Sequence, residues 1–150
     1  MTPPREPALS ELFSLAGKTA VVTGAAGYLG RAFTGALLEA GAVVVLMGRG
    51  EKLATEAARL RALHGDQMVD AQVVDFFDQD AYRLALGAVA DRHATIDVLV
   101  NNAFEFSKGT GFNDPSGRME SISRDQWMRA LESGGYWHAL ATQVLAARMA

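Results

Sequence analysis

Thr19 to Gly50 constrains this chain more than any other stretch, because its glycines, its helical stripe and its flanking apolar runs must all be satisfied by one local structure. Ala20, Val21 and Val22 are a short run of strand-forming residues. Thr23-Gly24-Ala25-Ala26-Gly27-Tyr28-Leu29-Gly30 follows, with a glycine at every third position. Beyond it Leu29, Ala32, Phe33, Ala36, Leu37 and Ala40 recur at helical spacing and are expected to form one apolar stripe. Gly41 closes that helix, and Ala42 to Met47 reads as a second, buried strand. Strand, glycine turn, helix and strand in that order predict the first half of a βαβ unit that binds a nucleotide.

Each glycine has a physical task in such a unit. Gly24 permits the tight turn off the strand, Gly27 lets the backbone come close to a pyrophosphate, and Gly30 lets the helix pack against the sheet. The free N–H groups and positive end of a helix starting near Tyr28 then face the phosphates. The glycine spacing alone is a weak signal. The strand before it and the amphipathic helix after it supply the context that gives it meaning.

At 150 residues the chain is long enough for one domain with a core, and 49% apolar with 21% charged residues is ordinary for a globular protein. A net charge of −3 gives no reason to expect nucleic acid or an anionic membrane as partner. The absence of cysteine excludes disulfides, thiolate nucleophiles and thiolate metal sites, and fits a cytoplasmic location. No apolar run approaches the roughly 20 residues of a membrane span. Residues 1–14, with Pro3, Pro4 and Pro7, read as a flexible leader without the apolar core of a signal peptide. Leu9, Leu12, Phe13 and Leu15 are expected to pack onto the sheet edge, and Gly17-Lys18 turns the chain into the first strand.

After Gly48-Arg49-Gly50 a helix is expected from about Glu51 to Leu63, with Leu53, Ala57 and Leu60 on one face and His64-Gly65-Asp66 ending it. Met68 to Asp75 reads as the third strand, with Val73 and Val74 as its buried pair. Asp78 is the expected N-cap of a helix to about Arg92 that turns Ala81, Leu84, Ala85, Ala88 and Val89 inward. Ile96 to Val100 reads as the fourth strand, running into Asn101-Asn102-Ala103. A long loop, Phe104 to Met119, leads to a capping box of Ser123 and Gln126 and a last helix carrying Trp127, Leu131, Leu140, Val144, Leu145 and Met149. Gly134-Gly135 is a weak point in the middle of that helix. The alternation predicts an α/β fold with a parallel sheet of four visible strands in spatial order 3-2-1-4 and right-handed crossovers.

Taken together, Leu15-x-Gly17-Lys18-x-Ala20-x-Val22-Thr23-Gly24, the glycine turn, Asp75 after the third strand and Leu99-Val100-Asn101-Asn102-Ala103 after the fourth resemble the short-chain dehydrogenase/reductase family, from Leu15 to the end of the chain. The resemblance implies a Rossmann-like, doubly wound sheet over residues 15–150. It also implies hydride transfer between NAD or NADP and an alcohol or carbonyl substrate, in a homodimer or homotetramer with the last helix at the dimer interface. It places Gly24, Gly27, Tyr28, Leu29 and Gly30 at the pyrophosphate. Asp75 would sit at the adenine amino group, the Phe76 backbone at the ring, and Asn102 and Ala103 by the adenosine ribose, while Asn101 would tie the fourth strand to its neighbours. In place of the acid that holds a ribose 2′-OH at the end of the second strand stands Gly48, followed by Arg49, whose guanidinium suits a 2′-phosphate. That favours NADP and leaves NAD open.

The chain also departs from the family. The glycine spacing resembles a minority of its short forms and the longer, extended members. Aligned on Trp127 and Leu131, the position of an asparagine that steadies the proton relay is Gly134. The catalytic serine and Tyr-x-x-x-Lys pair are absent, because Ala32, Leu86 and Leu140 stand four residues after Tyr28, Tyr82 and Tyr136. Tyr136 is expected in the core or an interface. No catalytic residue is therefore expected in these 150 residues, which read as the cofactor-binding half of a longer enzyme, incomplete before its catalytic segment. A catalytically inactive module that binds a dinucleotide or a protein partner is the alternative. His64, His93 and His138 are scattered, so no metal site is expected, and Glu105, Asp114 and Glu120 read as solvated loop acids. Phe104 and Phe106 hint at an apolar ligand, with Phe112 and Met119 in a loop that could cover it.

Overall fold

The computed structural model describes residues 9–149. A turn of helix α1 (Leu9–Leu12) leads into β1 (Thr19–Thr23), α2 (Tyr28–Glu39), β2 (Val43–Gly48), α3 (Gly50–His64), β3 (Val69–Val73), α4 (Gln79–Arg92) and β4 (Val98–Val100). The four strands are parallel in the order β3-β2-β1-β4. β1 lies against β2 from Thr19–Val43 to Thr23–Met47, and against β4 from Ala20–Val98 to Val22–Val100. The central strands are buried on both faces, which is why their sequences are continuous apolar runs.

Successive side chains of a strand point to opposite faces, so each central strand feeds two cores. Ala20, Val22, Val44 and Leu46 meet Leu38 of α2 and Leu53, Ala57 and Leu60 of α3. Val21, Val45 and Met47 meet Tyr82, Leu86 and Val89 of α4 and residues of the last helix. That helix starts at the Ser123–Gln126 capping box as α5 (Arg124–Leu131), widens into a π turn over Glu132–Tyr136, and continues as α6 (Trp137–Leu145). The weak point at Gly134-Gly135 is accommodated by that wider turn, and the helix is not broken there. Trp137, Leu140, Ala141 and Leu145 carry α6 onto the sheet, while Trp127 and Leu131 are exposed.

Several expectations from the pattern are corrected. In α2 the buried line is Gly30, Thr34 and Leu38, and Leu29, Ala32, Phe33 and Ala36 face outward. Thr34 can be buried because its hydroxyl donates to the Gly30 carbonyl at 2.7 Å, which satisfies it within the helix. Of the valine pair only Val74 is buried, at 7% exposure against 50% for Val73, because β3 ends at Val73 and successive side chains of an extended chain face opposite ways there. In α4 Tyr82 and Leu86 face inward and Leu84 is exposed. Tyr136 is exposed on the π turn and belongs to no core, which leaves an interface as the other place expected for it. Leu12 and Phe13 are exposed, while Leu15 packs against the core. The leader proposed for residues 1–14 lies outside the described residues up to residue 8, and Leu9–Leu12 is helical.

Candidate functional site

Gly24 leaves β1 with φ +67°, and a Cβ on it would stand 3.0 Å from both the Ala103 Cα and the Asn102 Nδ2. The Gly27 N–H donates to the Gly24 carbonyl at 3.0 Å and closes the turn. Gly30 rests directly on that same carbonyl, where a Cβ would overlap the oxygen. The helix therefore starts hard against the turn. Gly27 at its N-cap is extended and no side chain caps the helix, so the first turn of α2 has N–H groups available to an anion.

The end of β4 is stitched onto this turn. The backbone N–H groups of Asn102 and Ala103 donate to the Thr23 hydroxyl at 3.0 and 3.1 Å, and that hydroxyl donates to the Val100 carbonyl at 3.3 Å. The Asn102 side chain donates to the Thr23 and Gly24 carbonyls at 3.0 and 3.2 Å. Asn102 is thus the residue that ties β4 to its neighbouring strand. Asn101, expected in that role, donates instead to Thr142 of α6 at 3.3 Å. His138 fixes the next residue, its Nε2 donating to the Ala103 carbonyl at 2.8 Å.

These ends enclose a cavity of about 630 Å³ at the carboxyl ends of β1, β2 and β4. This is the point where the strand order reverses, the usual ligand crevice of an open α/β sheet. Eight of the expected residues line it: Gly24, Gly27, Tyr28, Leu29, Arg49, Phe76, Asn102 and Ala103. Gly30 lies buried under the turn. Asp75 is set apart, in a shallow depression with Val74, Asp78 and Ala81, and its carboxylate accepts from the Phe77 N–H at 3.1 Å. Gly48, set by the pattern at the ribose position, and Phe104 and Phe106, expected near an apolar ligand, line it as well, and Ala26, Lys52 and Trp137 are lining residues that the pattern did not single out. Lys52, three residues beyond Arg49 at the start of α3, was within reach of the same charge argument.

The loop acids do not form one solvated group. Glu105 is 8% exposed, and its Oε2 accepts from the Arg49 Nη2 at 2.6 Å, so the expectation of a solvated acid is wrong for it. Burying a carboxylate requires such a partner. Asp114 accepts from the Ser116 N–H and hydroxyl, which hold its carboxyl below the usual range. Phe104, Phe106 and Phe112 form an edge-on trio, with centroids 4.8 Å apart between the first two and 4.7 Å between the last two. A Cβ on Gly134 would stand 3.1 Å from the Phe104 ring, so that ring occupies the space an asparagine side chain would need.

Trp137 packs edge-on to Phe76 and Phe77, and its buried Nε1 has no hydrogen-bond partner. Burial pushes the Tyr82 hydroxyl well above its ordinary value, so it stays protonated and cannot serve as a base. Among the described residues no three of His, Asp and Glu gather to hold a metal ion.

Residues 18–136 match the family model of short chain dehydrogenases. The chain is 40% identical over 118 residues to a short chain dehydrogenase/reductase of Colletotrichum higginsianum, covering 78% of this chain and 41% of that one. The Pseudomonas aeruginosa RhlG structure, an NADP active-site complex, superposes with a TM-score of 0.76 at 31% identity, over 91% of this chain and 49% of that one. A gluconate 5-dehydrogenase structure from Beutenbergia cavernae with bound NADP gives 0.77 at 30% identity, over 91% and 51%. The chain thus spans about half the length of the relatives it matches.

Proposed function

This chain belongs to the short-chain dehydrogenase/reductase family, and from that premise we propose that it holds the cofactor of an NAD(P)-dependent oxidoreductase acting on an alcohol or carbonyl substrate. The observation that carries this reading is the cavity at the strand-order reversal, floored by a glycine turn and opened by an uncapped helix. A bound nicotinamide would supply or accept the hydride. The α2 N-terminus and the turn from Gly24 to Gly30 would hold the pyrophosphate, and Asn102 and Ala103 would flank the ribose. Arg49 and Lys52 put two cations on the rim where a 2′-phosphate would lie, which favours NADP over NAD. Asp75 and the Phe76 backbone remain the proposed adenine contacts. For Asp75 this requires the adenine to extend past the cavity.

The residues that would move the proton are proposed to lie outside these 150, since relatives of this family are about twice as long. The exposed Trp127, Met128 and Leu131 of α5 fit an assembly into a homodimer or homotetramer, and a cytoplasmic location remains the simplest one. No helix of the described residues is long and apolar enough to cross a membrane.

A second reading, a binding module without catalysis, draws on Gly134 with Phe104 filling the place of the relay asparagine. The two are separated by assaying the full-length protein for NADPH- and NADH-dependent reduction of a carbonyl panel, followed by nicotinamide absorbance. Turnover with any substrate removes the module reading. Tight cofactor binding without turnover across the panel removes the enzyme reading.

A further inference from the structure

Arg49 stands on the rim where a 2′-phosphate would reach, yet its guanidinium is already engaged. Its side chain is half exposed and lines the cavity, while its partner Glu105 is buried and does not. The Glu105 main-chain carbonyl accepts the hydroxyl of buried Thr110 at 2.8 Å, which anchors the backbone that carries the acid, and the buried carboxylate itself is held by Arg49. Viewed from the cavity, the pair is close to neutral, and Lys52 is the cation left over, with no ion pair among the described residues.

We infer that Glu105 sets how strongly the protein prefers NADP(H) over NAD(H), by competing with the cofactor's 2′-phosphate for Arg49. The inference rests on the dinucleotide reading proposed above. A phosphate arriving at Arg49 must share the guanidinium with the carboxylate or pull it away. Pulling it away leaves a buried carboxylate without its counter-charge, which is unfavourable. Sharing it brings two anions together in a poorly solvated place. A cofactor with a plain 2′-hydroxyl meets neither cost. The acid therefore weakens the phosphorylated cofactor selectively. Glu105 is a positioning residue that acts through Arg49.

The test is Glu105→Gln, which keeps shape and a hydrogen-bond acceptor and removes the charge. NADPH and NADH are titrated into the full-length protein and into its Glu105→Gln, Arg49→Gln and doubly substituted forms, with nicotinamide fluorescence as readout. Glu105→Gln is expected to tighten NADPH about tenfold and to leave NADH within about twofold, and the gain is expected to vanish when Arg49 is also Gln. An unchanged NADPH-to-NADH ratio overturns the inference. So does weaker NADPH binding, which would make Glu105 a support for Arg49, and so does an equal change for both cofactors, the mark of a merely structural residue. Failure of every folded form to bind either cofactor removes the dinucleotide reading itself, a result distinct from an unchanged ratio.

Discussion

The two walls of the cavity are built on opposite plans. The glycine wall, Gly24 to Gly30, is backbone, and it keeps its shape because side-chain atoms are missing from it. The facing wall is made of side chains, Phe104, Phe106 and Arg49, backed from outside the cavity by Phe112, Gly134 and the buried Glu105 that holds Arg49. A wall that depends on missing atoms tolerates no additions. A wall made of side chains can be exchanged, provided that its members change together.

The largest expected effect is on the glycine wall. Gly30→Val would drive a branched side chain into the Gly24 carbonyl, and a loss of about 3 kcal/mol is expected from overpacking of this kind. Urea unfolding should show it as a lower midpoint, together with loss of cofactor binding. A neutral Gly30→Val would break the contrast between the walls.

On the facing wall Gly134→Asn should cost about 1–3 kcal/mol, because the Phe104 ring must give way. Phe104→Gly in the same chain should recover part of that loss, with a coupling of about 0.5–3 kcal/mol in a double-mutant cycle of unfolding free energies. Strict additivity would mean that the two positions are not exchangeable as a pair.

A smaller effect concerns what holds α2 beside α3. Glu56 is buried and takes two hydrogen bonds from Arg59, at 2.6 and 3.2 Å, with Arg31 of α2 at 3.3 Å. The Arg59 hydrogen bonds hold its carboxyl below the usual carboxylate range against the opposing push of burial, with the charges of Arg59 and Arg31 adding to them. A depressed folded-state value means that the contribution is complete above the unfolded-state value and is lost as pH falls through the folded one. Glu56→Gln should therefore cost about 1–2 kcal/mol at neutral pH. The gap to wild type should close as the pH drops below about 4. Denaturant midpoints measured across that range decide it, and a gap independent of pH would contradict the assignment.

The same contrast explains what could be read in the sequence. The strand order, the Asp78 cap, the capping box at Ser123 and Gln126, and the glycine turn all depend on local spacing, and each stands where the pattern put it. The buried face of α2 escaped because two of its members are Gly30 and Thr34, which an apolar pattern does not count, although burial suits both. Val73 escaped because it ends an edge strand that is only partly covered, where two successive residues of an extended chain cannot face the same core. The Arg49–Glu105 pair joins residues 56 positions apart through a loop of irregular shape, so no local signal announces it. The displacement of Asp75 from the cavity likewise depends on where the chain turns after β3, which its spacing to the glycines does not encode.

The central claim is that the glycine-walled cavity is a dinucleotide site, and calorimetric titration of the full-length protein with NADPH and NADH tests it most directly. The account predicts saturable binding of one cofactor per chain, tighter for NADPH, and lost in Gly30→Val. A folded protein that takes up neither cofactor, or that binds them equally well with Gly30 replaced, would contradict it.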